Sequence, residues 1–97
     1  MSIWTVETWR IHPDRESHFL EHCAGLVPDD LTLFRDLETP GLFWSPTQWE
    51  TRESPQAWQG GGRYASCIQA ISEDVIEHTI HLMEAVEGFL PRPSRRE

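Results

Sequence analysis

The chain has 97 residues, of which 38% are hydrophobic and 25% charged, values typical of one globular domain. Eight basic and sixteen acidic residues give a formal net charge of −8. Such a surface would repel phosphate backbones and anionic headgroups, so we expect neither a nucleic-acid nor a membrane partner. No apolar run approaches the roughly 18 residues of a membrane span, and no leader pattern is present. We therefore expect a cytoplasmic protein.

The residue types used by the chain exclude several kinds of chemistry. There is no lysine and no asparagine, which rules out Schiff-base catalysis and any catalytic asparagine amide. Cys23 and Cys67 form no CxxC motif, so neither a disulfide framework nor a zinc ribbon is indicated. Both cysteines lie on apolar helical stripes and are predicted to be small buried residues. His18 and His22 have a helical metal spacing but no third ligand near them, so no metal site is predicted.

The first two predicted elements are a strand and a helix. Residues 3–11 have strong β-propensity and carry large side chains on both faces. Pro13 is suited to the first position of a helix whose apolar residues recur at helical spacing. Residues 25–28 contain glycine and proline and are predicted to end this helix.

A predicted hairpin follows. Two strands, at residues 31–37 and 42–50, are separated by a turn signal at residues 38–41. Pro46 falls in the middle of the second strand, and a proline there cannot donate to a neighbouring strand. We therefore expect Pro46 at a sheet edge or a bulge.

The second half of the chain begins with a short helix. Ser54 is its predicted N-cap, and the glycines at 60–62 break it. An apolar stripe from Tyr64 to Ile71 predicts a further helix. Residues 75–86 suit a helix or a strand equally well on pattern alone.

The order β-α-β-β-α with a final strand predicts an α+β, ferredoxin-like β-α-β-β-α-β sandwich. We expect a single domain at residues 1–90 and a charged, proline-containing tail at 91–97. Helices cover one face of such a sheet, and the other face would expose Trp4 and Val6. A second copy of the same sheet is the expected cover, which predicts a homodimer.

Residues 39–58 (TPGLFWSPTQWETRESPQAW) and 74–82 (DVIEHTIHL) resemble the antibiotic biosynthesis monooxygenase family, whose members share a hairpin closing on a Trp-Glu pair. The resemblance covers residues 2–88 and favours a strand for the ambiguous last segment. It implies a dimeric α/β barrel built from two ferredoxin-like sheets.

The resemblance also implies two activities. One is the oxygenation of anthrone- or quinol-type polyketide intermediates to quinones without a cofactor. The other is haem degradation, which uses an asparagine in the first strand, a tryptophan in the short helix and a histidine ten residues later. Trp58 fills the tryptophan position, but Glu7 and Ile68 stand at the other two. Isoleucine cannot coordinate iron, so haem degradation is the least favoured alternative.

An oxygenase of this kind needs a base, an aromatic-lined pocket and hydrogen-bond donors to the substrate anion. The expected ligand is a small aromatic or apolar molecule, and no cofactor is expected, because an electron-rich phenolate can reduce dioxygen directly. The candidate residues are Glu7 or His81 as the base, Arg63 as partner of the anion, Trp9, Trp58 and Tyr64 as pocket walls, and His22 as a further substrate contact. His22 and His78 are other candidate bases.

Two alternatives to this interpretation remain open. A buried Glu7 could serve only as the structural partner of an arginine or a histidine. The whole protein could equally be a non-catalytic dimeric module that binds a small molecule. His78 and His81, three residues apart in the predicted last strand, should point to opposite faces and cannot act together.

Overall fold

Four antiparallel strands form one sheet in the order β2-β3-β1-β4, in a computed structural model that describes residues 2–29 and 31–89. The strands are β1 (Ile3–Ile11), β2 (Phe34–Arg35), β3 (Leu42–Trp49) and β4 (Val75–Glu84). The helices are α1 (Glu16–His22), α2 (Ser54–Gln59) and α3 (Gly62–Ala70), with 3-10 turns at Pro13–Arg15 and Ala24–Leu26. This is the predicted α+β, ferredoxin-like fold, whereas the expected tail at 91–97 lies outside the described residues.

The central strand β1 separates two different faces of the sheet. Its alternate side chains from Ile3 to Ile11 are buried, whereas Trp4, Val6 and Thr8 between them are half-buried. This alternation follows from the two-residue period of a strand. We call the buried side the helix-facing side and the other the bare face.

The core fills the space between the helix-facing side and the helices. Phe19 of α1 is fully buried, and its ring centroid lies 6.0 Å from that of Trp9 and 5.4 Å from that of Phe43. Burying each such aromatic ring contributes about 1.5–3 kcal/mol. The buried cluster comprises Trp9, Ile11, Phe19, Cys23, Leu26, Phe43, Tyr64, Cys67 and Ile71.

Both cysteines are buried free thiols, as predicted. Burial raises the pKa of Cys23 to about 11 and also raises the pKa of Cys67. Thiolate is the reactive form, so neither cysteine is suited to nucleophilic chemistry near neutral pH.

The predicted strand at residues 31–37 is wrong in length, because β2 has only two residues. The reason lies in Asp36, whose carboxylate accepts the backbone N–H groups of Glu38 at 2.8 Å and Thr39 at 2.9 Å. A side chain that satisfies backbone donors in this way favours a turn over a strand. The chain therefore leaves the sheet at Asp36.

The short length of β2 also explains how β3 can contain Pro46 in its middle. β2 pairs with β3 only at Phe43 and Trp44, so beyond these residues no strand of the described part of the chain pairs with this edge of β3. The missing N–H of Pro46 thus removes no bond to a neighbouring strand, and the edge prediction is confirmed.

The remaining boundaries differ little from the predictions. The first helix begins with the 3-10 turn at Pro13, and the glycine break separates α2 from α3. Ser54 is the first residue of α2 and not its N-cap; its N–H is accepted by Thr51 Oγ1 at 3.2 Å. Residues 75–84 form a strand because they pair along β1.

A buried carboxylate ties α1 to the start of β4. Asp74 is fully buried and accepts hydrogen bonds from Arg15 Nε and His18 Nδ1, both at 2.7 Å. Burial by itself would raise the pKa of Asp74, but the hydrogen bonds from His18 and Arg15, together with their charges, hold it below its ordinary value.

Replacing this carboxylate should make stability depend less on pH. We expect Asp74→Asn to lower the free energy of unfolding by about 2 kcal/mol at neutral pH, the worth of hydrogen bonds to a charged group. Because the folded pKa is depressed, the contribution is complete above the unfolded pKa of about 3.9 and is lost as the pH falls through the folded pKa. Urea unfolding at several pH values measures this, with the exposed Glu87→Gln as control. A wild-type advantage that stays constant down to acid pH would contradict it.

The bare face carries apolar side chains that no described element covers. Exposed fractions are 38% for Trp44, 46% for Met83 and 57% for Phe34. Together with half-buried Trp4 and Val6 they form a contiguous apolar surface, because the register places Trp4 opposite Met83 and Trp44 opposite Phe34. Within the described residues, no helix has both the length and the hydropathy needed to cross a bilayer.

Candidate functional site

The helix-facing side of the sheet contains a buried carboxylate in an otherwise largely apolar core. Glu7 is 3% exposed and lies in the middle of β1, opposite Ser45 of β3 and Ile80 of β4. A carboxylate in such a position needs partners, since burying it unpaired is costly. Its partners are His78 and Tyr64.

His78 makes the closest contact to this carboxylate. Its Nε2 lies 2.8 Å from Glu7 Oε1, and its ring stacks on Trp9 with a centroid distance of 3.7 Å and an angle of 7°. An ionised carboxylate can only accept, so in this contact Nε2 of His78 donates to Glu7. The stack on Trp9 and the bond to Glu7 together fix the orientation of the imidazole.

Tyr64 of α3 reaches the same carboxylate from the helix layer. Its hydroxyl donates to Glu7 Oε1 at 3.5 Å. Burial raises the pKa of Tyr64 well above its ordinary value, and the negative charge of Glu7 raises it further. The phenol therefore keeps its proton. Glu7, Tyr64 and His78, together with Trp9 under the imidazole, are called the Glu7 cluster below.

Two buried polar groups near the cluster have no hydrogen-bond partner among residues 2–29 and 31–89. They are the hydroxyl of Ser45 and the indole N–H of Trp9. Each belongs to a residue about 1% exposed on the helix-facing side of the sheet. Unpaired buried polar groups are uncommon and are often retained where a ligand or a water completes them.

An open groove of about 190 Å³ adjoins the Glu7 cluster. Its floor includes Thr5, Ile80 and Leu82 of the sheet, and its other lining residues are Arg52, Pro55, Gln56 and Gln59. Thr5 is two residues before Glu7 on β1, a spacing of about 7 Å, and Ile80 is the direct cross-strand neighbour of Glu7. Two residues that line the groove are therefore strand neighbours of Glu7, whereas Glu7 and His78 themselves are not lining residues.

The structure brings three of the predicted site residues together, namely Glu7, Trp9 and Tyr64. His81 is not with them, because it pairs with Val6 on the bare face and is exposed. Glu7 and His81 were predicted as alternative bases. The strand register places them on opposite faces of the sheet, so they cannot serve one pocket. It also confirms that His78 and His81 point to opposite faces.

His22 lies on the exposed surface of α1, away from the Glu7 cluster. Its Nδ1 donates to the carbonyl of His18 at 2.9 Å, and the two rings stack with centroids 4.2 Å apart. Among the described residues, no group of three or more histidine, cysteine, aspartate or glutamate side chains is arranged to hold a metal ion.

Trp58 and Arg63 contact each other outside the Glu7 cluster. The indole N–H of Trp58 donates to the carbonyl of Leu26 at 2.9 Å. The guanidinium of Arg63 lies 5.7 Å from the centroid of the Trp58 ring. Trp58 lines a separate groove with Trp49, whose own indole donates to Thr5 at 2.8 Å. Ile68 packs against the core and offers no donor atom, so this chain does not fit the haem-degrading arrangement described above.

His78 was only one of several candidate bases in the sequence, and Ser45 and Arg52 were not assigned to the site. His78 is 71 residues from Glu7 along the chain, and only the register of β1 with β4 brings the two together. One signal was present: a buried carboxylate requires a partner, and the last strand contains two histidines on opposite faces. The sequence could not select between them without the register.

The family model described as antibiotic biosynthesis monooxygenase matches residues 3–70 of this chain. No curated protein matches the chain.

Solved structures share the fold at low sequence identity. A conserved protein from Methanosarcina mazei Go1 has a TM-score of 0.75 at 17% identity, covering 86% of this chain and 91% of its own. A protein provisionally named an antibiotic biosynthesis monooxygenase, from Bordetella bronchiseptica, has a TM-score of 0.75 at 19% identity, covering 88% and 97%. One of the same provisional name from Caulobacter crescentus CB15 has 0.73 at 17%, covering 89% and 91%. At these identities the similarity establishes the fold alone.

Proposed function

The chain belongs to the antibiotic biosynthesis monooxygenase family, and we propose that it is a cofactor-independent monooxygenase acting on a small aromatic phenol or quinol of polyketide-like chemistry. The observation that carries this proposal is the Glu7–His78 contact of 2.8 Å, made next to strand neighbours of Glu7 that line a groove. A buried acid–base pair beside a concave surface is the arrangement expected of a proton-transfer site.

The proposed reaction converts a phenol with a C–H at its para carbon, together with O2, into a quinone and water. The base removes the phenolic proton, and the phenolate passes one electron to dioxygen, forming superoxide. The two radicals join at the para carbon, forming a C–O bond, and the peroxide takes up a proton. Removal of the remaining hydrogen on that carbon breaks the O–O bond and releases hydroxide, which becomes water with the second proton.

The Glu7 cluster supplies the groups that these steps require. The Glu7–His78 pair accepts the phenolic proton, with the carboxylate holding the imidazole in position. Tyr64 keeps its proton and donates towards the pair. The unpaired N–H of Trp9 and hydroxyl of Ser45 are further donors on the same side of the sheet. Thr5, Ile80 and Leu82 provide the surface on which a ring lies.

Oxygen consumption by the purified, metal-stripped protein tests this function. We expect uptake above the uncatalysed rate with a panel of anthrones, 1-naphthols and simple phenols that keep a hydrogen at the para carbon, unchanged by a chelator. Quinone formation followed by absorbance should match the oxygen consumed mole for mole. Uptake that disappears with the chelator would contradict a cofactor-independent mechanism.

One observation favours a second candidate function, a non-catalytic binding module. The bonds that Glu7 makes to His78 and Tyr64 are also those that a buried carboxylate needs for structural reasons alone. This candidate predicts that an aromatic ligand binds in the groove and that no phenol in the panel increases oxygen uptake.

We further propose that the protein is a homodimer that joins two sheets through their bare faces, forming an α/β barrel. The support for this is the apolar surface of Trp4, Val6, Trp44 and Met83, which is unusually large for a free sheet face. The groove and the Glu7 cluster lie on the other side of the sheet, so dimerisation of this kind leaves them open.

A further inference from the structure

The groove beside the Glu7 cluster has two chemically different ends. One end is formed by Thr5 and Ile80, the strand neighbours of Glu7, which forms the proposed proton-accepting pair with His78. Arg52 lines the same groove from the loop between β3 and α2, close to where β1 pairs with the end of β3. A ligand seated along Thr5, Ile80 and Leu82 therefore lies between the strand neighbours of Glu7 and the positive charge of Arg52.

Arg52 is unusual among the arginines that the structure describes. Arg10, Arg15 and Arg35 each form an ion pair with a carboxylate, and Arg63 lies over the ring of Trp58. Arg52 makes no ion pair with any residue in the ranges 2–29 and 31–89, although the protein has a net charge of −8. Its guanidinium is thus available to an anion brought by a ligand.

Amide side chains stand beside this arginine. Gln56 and Gln59 of α2 line the groove on the same side as Arg52, and each can donate two hydrogen bonds. An arginine with neighbouring amide donors is well suited to a carboxylate, which accepts several hydrogen bonds at once.

The size of the groove limits the aromatic part of the ligand. An enclosed apolar cavity of about 150 Å³ holds benzene, and the groove has a volume of about 190 Å³. One ring with a substituent, or a bicyclic ring that extends through the open side, matches this volume.

From these observations we propose that the substrates are hydroxylated aromatic acids of one or two rings, with the hydroxyl at Glu7–His78 and the carboxylate at Arg52. The inference rests on the proposed function for the position of the reactive hydroxyl. The recognition of the carboxylate depends only on the groove.

Binding measured without oxygen separates this inference from the chemistry. Under nitrogen, isothermal titration compares 3-hydroxybenzoate with 3-hydroxybenzamide, which has nearly the same shape but no charge. We expect the acid to bind about tenfold more tightly, the worth of one charge-assisted hydrogen-bonded contact. The Arg52→Gln variant should bind the acid and the amide with equal affinity. Arg35→Gln, which removes the same charge far from the groove, should keep the preference.

The outcomes distinguish the two proposals. Equal affinity of the wild-type protein for acid and amide, or no binding of either, would overturn the inference. A preference for the acid that persists in Arg52→Gln would also overturn it, because the carboxylate would then be held elsewhere. If the acid is preferred through Arg52 while oxygen uptake is absent for every phenol, the recognition stands and the oxygenase function fails.

Discussion

Glu7→Gln should lower turnover at least about 100-fold while the protein stays folded. A general base contributes typically 10²- to 10⁴-fold, and an amide at position 7 removes the carboxylate from the proton-accepting Glu7–His78 pair. Folding is expected to survive, because the glutamine carbonyl can still accept the hydrogen bonds from His78 and Tyr64 that Glu7 accepts. Steady-state oxygen uptake, with circular dichroism of the same sample, measures both properties.

A matched control and a partner variant make this test specific. Glu84→Gln removes an exposed carboxylate from the neighbouring strand β4 and should leave turnover unchanged. His78→Gln should lower turnover and alter the pH profile of kcat, since the imidazole is part of the proposed pair. Full activity in a folded Glu7→Gln protein would assign Glu7 a purely structural role.

Val6→Asp should convert the proposed dimer into a monomer at micromolar concentration. Val6 lies near the middle of the bare face, between Pro46 and His81 of the neighbouring strands. A dimer joined through this face would have to bury the new carboxylate of each copy without a partner, which is costly. In the monomer the same side chain is half-exposed, so the fold should tolerate it.

Light scattering coupled to size-exclusion chromatography measures this change in mass. Ser66→Asp adds the same charge to the exposed surface of α3 and should leave the dimer intact. A wild-type protein that is already monomeric at this concentration would refute the dimer itself. A Val6→Asp protein that remains dimeric would place the interface on another surface.

Local sequence pattern was sufficient for much of the fold. The alternation in residues 3–11 predicted a strand with two apolar faces, and the structure has that strand with the same bounds. Turn and helix-breaking residues placed the hairpin and the separation of α2 from α3. The segment at 75–84 could not be assigned from periodicity, because its strand structure comes from pairing with β1.

The candidate site was less predictable, since it depends on long-range pairing. Glu7 stood out as a polar residue on an apolar strand face, but its partner His78 depends on a register that no local pattern contains. Trp58 was assigned to the pocket through the family resemblance, and Arg63 as a possible donor to the substrate anion. The orientation of the short helix instead directs the Trp58 indole to the carbonyl of Leu26.

The two faces of β1 also restrict how this protein can evolve. Val6 and Glu7 are adjacent in sequence but belong to different surfaces, the proposed dimer interface and the Glu7 cluster. Inserting or deleting one residue before them would exchange the two faces, moving the carboxylate to the outside and the valine towards His78. Mutation can therefore replace the side chains of this strand one at a time, but its length has to be inherited unchanged.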